Sequence, residues 1–423
     1  MSVSSAGKSP GKRVLWPLQA LSFFMADMQA GIGPFLGIFL LAHGWKSGLI
    51  GSVMTIGGIA GMVMTIPAGA LIDATTKKRM YVVIPGIFTI LASVAILFSQ
   101  DFWIVSISQV ATAIAGAALG PAVVGITLGL VRQKGFNRQN GRNQAFNHAG
   151  NVVGAALSGY AGFKFGMPAI LALAALFGVF SIISVLFIPA KAIDDRAARG
   201  LKETDTEDEK AGGLSLLLQN KPLLLLAAAL SCFHLGNGAM LPLYGLAAAS
   251  KATGDPMLFV ALTIIIAQVV MVVVSLVATN MAEKKGYWMI LLISFFALPV
   301  RGFIAAHMIS HAGLYPVQIL DGIGAGLQSV AVPGLVAHIL NGTGRVNIGQ
   351  GAVMTIQGTG AALSPAIGGW MAQSIGYSNA FLILGSFALI SVALWLFFSK
   401  TLKEACNTNS SQAAADPGTS LSK

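Results

Sequence analysis

Apolar segments long enough to cross a membrane constrain this chain more than any other feature. A helix needs about 17–25 apolar residues to span the hydrocarbon core of a bilayer. Charged residues make up 10% of the chain, whereas a soluble domain carries about 25%. The sequence therefore predicts an all-α polytopic membrane protein of twelve transmembrane helices, at 15–41, 48–73, 80–99, 102–131, 143–165, 168–189, 221–249, 258–282, 287–308, 312–339, 349–374 and 378–399.

One polar linker separates these segments into two sets of six. It carries seven acidic residues with interspersed basic ones, a composition typical of a solvated segment. The predicted domains are an N-terminal tail, a six-helix bundle, the linker, a second six-helix bundle and a C-terminal tail, at 1–14, 15–189, 190–220, 221–399 and 400–423.

The basic residues predict how the helices are oriented. Cytosolic loops of membrane proteins carry an excess of Lys and Arg. With the N-terminus in the cytosol, nearly all of the 26 basic residues fall on that side, and Lys46, Lys164 and Lys251 fall outside. We therefore expect both termini in the cytosol and a bacterial inner or plasma membrane. This distribution accounts for the net charge of +11 without nucleic acid as a partner.

Two phrases occur once in each half of the chain. Residues 20–37, ALSFFMADMQAGIGPFLG, are echoed at 229–245 as ALSCFHLGNGAMLPLYG, at an offset of 209. Residues 144–159, QAFNHAGNVVGAALSG, are echoed at 350–365 as QGAVMTIQGTGAALSP, at an offset of 206. Two matches at nearly one offset indicate a duplication, which predicts two pseudo-symmetric bundles facing a shared site near the membrane midplane.

The segment between the second and third predicted helices reads GALIDATTKKR, from Gly69 to Arg79. With the twelve-helix pattern, it resembles the major facilitator superfamily, whose signature there is Gly-x-x-x-Asp-[Arg/Lys]-x-Gly-x-[Arg/Lys]-[Arg/Lys]. Ala74 and Thr76 depart from that signature. The resemblance implies a gating role for Gly69, Asp73, Lys77, Lys78 and Arg79. The alternative for Asp73 is a helix-end carboxylate among basic lipid anchors.

The antiporter-associated motif of that family, Gly-x8-Gly-x3-Gly-Pro-x2-Gly-Gly, is present in partial form. Gly150 and Gly154 fit it in the fifth predicted helix, but Ala155 replaces the proline. A closer copy, with Gly360 and Pro365, lies in the eleventh. By this resemblance, proton-antiport efflux stays an alternative to uptake.

Asp27 is one of two carboxylates that lie within predicted spans away from their ends. It lies about 12 residues past the cytosolic start of its helix, roughly 18 Å deep, near the middle of the bilayer. An ionisable residue at that depth is costly and marks a functional site by default. We expect Asp27 to carry the coupled proton or to contact the solute. The alternative is a neutral carboxyl hydrogen-bonded to Ser22 or Gln29.

Asp321 is the second such carboxylate, and Arg301 is its expected partner. Their helices enter from opposite faces, and counting about 1.5 Å per residue places both in the outer half of the membrane, within about one turn. A buried arginine needs a partner. Two interpretations stay open: a structural ion pair between neighbouring helices, or an Arg301 that binds a carboxylate or phosphate of the solute.

A polar stripe runs along the fifth predicted helix and recurs in the eleventh. Asn147, His148 and Asn151 lie at helical spacing, and Gln357 is part of the second stripe. His148 is a candidate proton carrier, and interhelical hydrogen bonding is the alternative for the stripe. The predicted solute-binding residues are Gln29, Asn147, Asn151, His234, Asn237, Tyr244, Arg301, Asp321 and Gln357.

These features predict a secondary active, proton-coupled transporter that works by alternating access. Its solute would be small, organic and polar or anionic, with a metal chelate or siderophore-like carboxylate as one option. A membrane enzyme is disfavoured because HExxH, GxSxG and P-loop motifs are missing from the sequence. We expect no catalytic residue, metal or cofactor, and a monomer whose partners are solute, protons and lipid.

Overall fold

The computed structural model describes residues 12–30, 32–198, 219–250, 254–340 and 346–406. The secondary structure of these residues is helical, without a strand. The helices are α1 (Lys12–Ala30), α2 (Ile32–Ala42), α3 (Ser47–Ala74), α4 (Met80–Phe98), α5 (Phe102–Phe165), α6 (Met167–Leu186), α7 (Asp195–Ala198), α8 (Lys221–Asn237), α9 (Met240–Ser250), α10 (Pro256–Lys285), α11 (Trp288–His307), α12 (His311–Ile339), α13 (Val346–Ile375), α14 (Tyr377–Phe397) and α15 (Ser399–Cys406).

Over its described residues, each of the twelve predicted spans is largely helical. Within the described residues, nine segments are long and apolar enough to cross a membrane. The predicted spans at 15–41, 143–165 and 349–374 are helical but fall outside these nine. Two of the three carry the amides of the polar stripe, which lower their hydropathy. The chain is an all-α, multi-pass membrane protein, and the number of twelve crossings stays a prediction.

The connection between the fourth and fifth predicted spans differs from the expectation. The sequence predicted a non-helical segment from 132 to 142, but helix α5 continues on both sides of Arg132. Arg132 is the point of the kink, with φ 55° and ψ 179°, a conformation that is uncommon for a residue with a Cβ. Its Nη2 donates to Asp194 Oδ2 at 3.0 Å, and the Asp194 N–H donates to the Gly129 carbonyl.

The seventh predicted span is interrupted, and the first is described as helix on either side of residue 31. Helix α1 ends at Ala30 and α2 begins at Ile32, while α8 ends at Asn237 and α9 begins at Met240. Between α8 and α9, the Ala239 N–H donates to Ser364 Oγ at 2.8 Å.

The chain forms two compact units, Met1–Phe39 with Ile56–Asp208, and Leu40–Thr55 with Glu209–Lys423. In the first unit, Leu21, Val82 and Ile126 belong to a buried core. There the backbone of α5 lies close to α1, because a Cβ on Gly150 would collide with the Phe23 carbonyl.

In the second unit, the start of α3 packs on α13. Ser47 Oγ donates to the Gly369 carbonyl at 3.0 Å, and Trp370 Nε1 donates to Ser52 Oγ at 2.9 Å. Helix α8 packs against α13 and α14. A Cβ on Gly360 would collide with the Ser231 carbonyl of α8. A Cβ on Gly150 would meet the backbone of α1 in the same way in the first unit.

Candidate functional site

Arg301 lies at the centre of the second unit, where α8, α11 and α12 meet. Its side chain is 1% exposed. A single nitrogen, Nη1, donates to Asp321 Oδ1 on α12 and to Asn237 Oδ1 on α8, both at 2.7 Å. The ion pair that the depths of the two residues predicted is therefore present, and Asn237 is its third member.

The two charges of this pair are unequally accessible. The Asp321 side chain is 15% exposed, against 1% for Arg301. Within the described chain, Nε and Nη2 of Arg301 have no hydrogen-bond partner. The carboxylate is therefore the more accessible of the two charged groups, and the guanidinium is the buried one. The prediction that Arg301 itself binds an anionic group of the solute stays a prediction.

A second polar network joins the same three helices. His234 Nε2 lies 3.2 Å from Gln328 Oε1, Gln328 Nε2 donates to Ser294 Oγ at 2.8 Å, and Ser294 Oγ donates to the Gly324 carbonyl at 3.1 Å. Gln328 and Ser294 were not predicted. The sequence pattern that could have found them is helical spacing. Gln328 lies seven residues after Asp321 on α12, and Ser294 lies seven residues before Arg301 on α11, so each shares a helix face with its charged neighbour.

Tyr244 and Gln357 are two further residues that the sequence predicts to bind the solute. Tyr244 is fully buried, and its hydroxyl donates to the Met308 carbonyl between α11 and α12. Gln357 is partly buried on α13. Two residues further along α13, Thr359 hydrogen-bonds to Ser231 at 3.3 Å and so joins α13 to α8.

The polar stripe of the first unit joins α5 to α1. Asn147 Nδ2 donates to the Ser22 carbonyl at 3.3 Å, and Asn151 Nδ2 donates to Asn147 Oδ1 at 3.3 Å. His148 is partly buried beside them. The bond from Asn147 to Ser22 is interhelical, as in the alternative interpretation of the stripe, whereas the bond from Asn151 to Asn147 lies within α5.

A second amide pair of α5 was missed. Gln139 Nε2 donates to Asn143 Oδ1 at 2.9 Å, and Asn143 Nδ2 donates to Thr127 Oγ1 at 3.0 Å. All three side chains are buried. Their contacts lie within α5 itself, across the kink, which the sequence did not predict.

Three predicted site residues have side chains outside the described part of the structure. Asp27 and Gln29 lie on α1, and Asp73 lies in the last turn of α3, but their side-chain contacts are not described. Their predicted roles in coupling, solute binding and gating stay predictions.

Two of the predicted gating cations bind helix ends. Lys78 is buried, and its Nζ donates to the carbonyls of Ile72 and Thr75 at 3.0 and 2.8 Å. Arg79 Nη1 donates to the Ile188 carbonyl at 2.9 Å. Cations favour the carbonyl ends of helices in this way. Gly69 lies near the same end of α3, and Lys77 follows that helix.

The described residues contain no group of three or more His, Cys, Asp and Glu side chains that could hold a metal ion. The polar constellation of the second unit has amide, imidazole, carboxylate and guanidinium groups instead. These groups can form hydrogen bonds with a solute and can take up or release a proton.

Comparison with known proteins gives consistent matches over the chain. A sequence model of the Major Facilitator Superfamily matches residues 15–347 and 302–419. An uncharacterized MFS-type transporter found in two strains of Mycobacterium tuberculosis is 39% identical over 386 residues, covering 91% of this chain and 92% of that protein.

Solved structures share the fold. The nucleoside transporter NupG superposes with a TM-score of 0.71 at 14% identity, covering 92% of this chain and 99% of that one. A bacterial homologue of the human lysosomal transporter Spinster, inward-facing and unoccupied, gives a TM-score of 0.73 at 14% identity, covering 95% and 100%. At this identity the likeness concerns the fold alone.

Proposed function

Because this chain belongs to the Major Facilitator Superfamily and is a multi-pass membrane transporter, we propose that it is a proton-coupled secondary active transporter. Its solute is small, organic and polar or anionic, and it crosses by alternating access between two six-helix bundles, 15–189 and 221–399. We further propose a monomer with both termini in the cytosol of a bacterial inner or plasma membrane.

The accessible carboxylate of Asp321, held by the buried guanidinium of Arg301, carries this proposal. An ion pair costs free energy inside an apolar bundle, so its presence there is a reason to look for function. If Asp321 takes up a proton, Arg301 loses its counter-charge in a place that water does not reach. Protonation therefore favours a different arrangement of α8, α11 and α12, which is the coupling that a proton-driven transporter requires.

In the first half of the chain, the proposed coupling groups are Asp27 and His148. The second half has Gly236 at the position equivalent to Asp27. A Cβ on Gly236 would collide with the Leu384 carbonyl of α14, so close packing explains why the acid is not duplicated. This asymmetry supports a chemical role for Asp27 over a role in packing.

The proposed gate lies at the end of α3, at Gly69, Asp73, Lys77, Lys78 and Arg79. Lys78 and Arg79 hold the ends of α3 and α6. A change in the position of either helix end would break these bonds to carbonyl groups, which gives the gate its physical basis.

Solute accumulation in proteoliposomes tests the function. The purified full-length protein is reconstituted, a pH gradient is imposed in either direction, and uptake is measured for radiolabelled nucleosides, sugars, organic acids and ferric chelates. Nucleosides are included because the similar NupG transports them. We expect saturable accumulation that stops when a protonophore collapses the gradient.

The direction of the gradient that supports accumulation separates uptake from efflux. Flux that never exceeds equilibration, with or without the gradient, would contradict secondary active transport and indicate a channel.

A further inference from the structure

The two polar networks of the second unit are arranged in two layers. Ser294, Arg301 and Gln328 form the buried layer, with Ser294 and Arg301 at most 1% exposed and Gln328 at 8%. His234, Asn237 and Asp321 form the outer layer, and all three are partly exposed. His234 and Asn237 are three residues apart on α8 and so share a face. Asn237 and Asp321 bind the same nitrogen of Arg301.

The buried layer determines the hydrogen-bonding direction of His234. The Gly324 carbonyl can only accept, so the single proton of Ser294 Oγ is committed to it. Ser294 Oγ must then accept from Gln328 Nε2. This orients Gln328 Oε1 toward His234, whose Nε2 therefore carries a proton and donates. In the neutral imidazole, Nδ1 is left as an acceptor, and no described residue bonds to it.

Arg301 determines the direction of the other two outer residues in the same way. A guanidinium only donates, so Asn237 presents its Oδ1 to Arg301 and its Nδ2 amide hydrogens away from it. Asp321 uses Oδ1 for Arg301. Within the described chain, Asn237 Nδ2 and Asp321 Oδ2 have no recorded partner. The outer layer thus offers two acceptors, His234 Nδ1 and Asp321 Oδ2, and one donor group, Asn237 Nδ2.

The charges in this cluster compensate each other. Arg301 offsets Asp321, and a neutral imidazole is the form that an apolar helix favours at His234. A carboxylate or phosphate would meet the like charge of Asp321 and two acceptors. An ammonium group would meet the Asn237 amide hydrogens and a carboxylate that is already paired.

On the basis of the function proposed above, we infer that His234, Asn237 and Asp321 form a subsite for an uncharged, polyhydroxylated solute. A hydroxyl group can both donate and accept a hydrogen bond. The hydroxyl groups of such a solute would donate to His234 Nδ1 and Asp321 Oδ2 and accept from Asn237 Nδ2, so they match the two acceptors and the donor group of the outer layer. Ser294, Gln328 and Arg301 are positioning residues, because they fix the outer layer without touching the solute. This narrows the solute from polar or anionic to neutral and hydroxyl-bearing.

Matched probes test the subsite by thermal stabilisation of the full-length protein in nanodiscs. One set is uridine, its 2′,3′-dideoxy analogue and its 5′-monophosphate; the other is glucose, gluconate and glucose 6-phosphate. A site built to bond hydroxyl groups discriminates strongly against analogues that lack them. We expect a neutral hydroxylated member to bind at least about tenfold more tightly than its deoxy or anionic partners. Equal or tighter binding of the anionic members, or binding of no neutral member up to about 10 mM, would overturn the inference.

The variant Asn237→Asp tests the donor group directly. It keeps an oxygen for Arg301 but replaces the amide hydrogens with a second acceptor. We expect binding of the neutral probe to fall at least about tenfold. Because the added carboxylate beside Asp321 lowers the stability of the protein without solute, binding is measured against the unfolding temperature of the same variant without a probe. Asn379→Asp, at an exposed amide on α14, is the matched control and should bind normally. Unchanged binding by Asn237→Asp would contradict the subsite.

Nitrogen NMR of ¹⁵N-histidine-labelled protein tests the positioning residues without any solute. The His234 signal, identified by its loss in His234→Gln, should show the Nε2–H tautomer in the wild type. In Gln328→Met it should become a mixture of both tautomers. An Nδ1–H tautomer in the wild type, or no change in Gln328→Met, would overturn the assignment.

The outcomes separate this inference from the proposed function. Binding of a neutral probe without proton-driven accumulation would contradict the transport mechanism and leave the subsite. Proton-driven accumulation with preferred binding of the anionic probes would overturn the subsite and leave the mechanism.

Discussion

Arg301, buried inside the second unit, bonds both Asp321 and Asn237 through one shared nitrogen. Its two other nitrogens contribute no bond to the described protein. The stability of the cluster therefore depends on few contacts, so replacing a single residue of the cluster should have a measurable effect on the stability of the protein.

Removing the carboxylate should be more harmful than removing the whole pair. Asp321→Ala leaves a buried, uncompensated guanidinium and should destabilise the protein by about 3–5 kcal/mol. The double variant Arg301→Met with Asp321→Leu replaces both charges by apolar groups and should recover most of that loss. Thermal unfolding in detergent measures both. A double variant less stable than Asp321→Ala would show that the ion pair is not the cause.

Gly236 should not tolerate a side chain. A Cβ there would collide with the Leu384 carbonyl of α14, and overpacking of this kind costs about 1–3 kcal/mol. We expect Gly236→Ala to lower the unfolding temperature and Gly116→Ala, where a Cβ has nothing within 4 Å, to leave it unchanged or raise it. Equal behaviour of the two variants would contradict the close contact of α8 with α14.

At the scale of residues, the sequence predicted the contacts of charged side chains better than those of amides and hydroxyls. Arg301 and Asp321 could be paired because depth in a membrane is a one-dimensional coordinate and few ionisable groups share a level. The amide Gln328 and the hydroxyl Ser294 carry no comparable constraint, since such residues occur on many helix faces. Asn237 was expected to face a pocket, but its bond to Arg301 depends on how three helices meet.

At the scale of elements, the short helix α15 is held against the second unit by its own side chains. Leu402 and Cys406 are buried, and the Lys403 ammonium lies 4.4 Å from the ring centroid of Trp288. The Tyr287 N–H donates to the Cys406 carbonyl at 3.3 Å. The helix is amphipathic, so its apolar face is the part that docks.

The reactivity of Cys406 reports on this docking. Burial raises the pKa of the Cys406 thiol to about 12, and the thiolate is the reactive form. In a Cys232→Ala background, we expect almost no labelling by maleimide between about pH 7 and 9, because the thiol stays protonated below its pKa. Leu402→Asp should undock α15, return the pKa toward its ordinary value and allow labelling. Rapid labelling without that substitution would show that α15 is not docked.

Apolar length predicted where most helices lie, but it did not predict the break between α8 and α9 or the continuation of α5. At the break between α8 and α9, the Ala239 N–H is bonded by Ser364 from α13. Neither residue of the break is a proline, so the sequence does not mark its position. The continuation of α5 through 133–142 was missed because its basic residues resemble a loop. Both features depend on tertiary contacts that local sequence does not contain.

For the whole molecule, the duplication governs packing but not chemistry. Gly150 and Gly360 bring α5 close to α1 and α13 close to α8 in the same way. The Arg301–Asp321 pair has no counterpart in the repeated phrases of the first half, and Gly236 replaces Asp27 in the second. The phrase repeat predicted the shared scaffold from sequence, while the cluster around Arg301 arises from positions that are not repeated.

Proton movement driven by the solute tests the central claim most directly. Proteoliposomes with a pH-sensitive dye inside receive a solute that the accumulation assay has identified, and the proton flux is compared in the wild type, Asp27→Asn, Asp321→Asn and Asp101→Asn. Asp101 is exposed and caps α5, a role that Asn also fills. We predict solute-driven proton flux in the wild type and Asp101→Asn, and at least about a tenfold loss, or about 1.4 kcal/mol of coupling, in Asp321→Asn and Asp27→Asn. Solute transport without proton flux in the wild type, or full flux in both carboxylate variants, would contradict it.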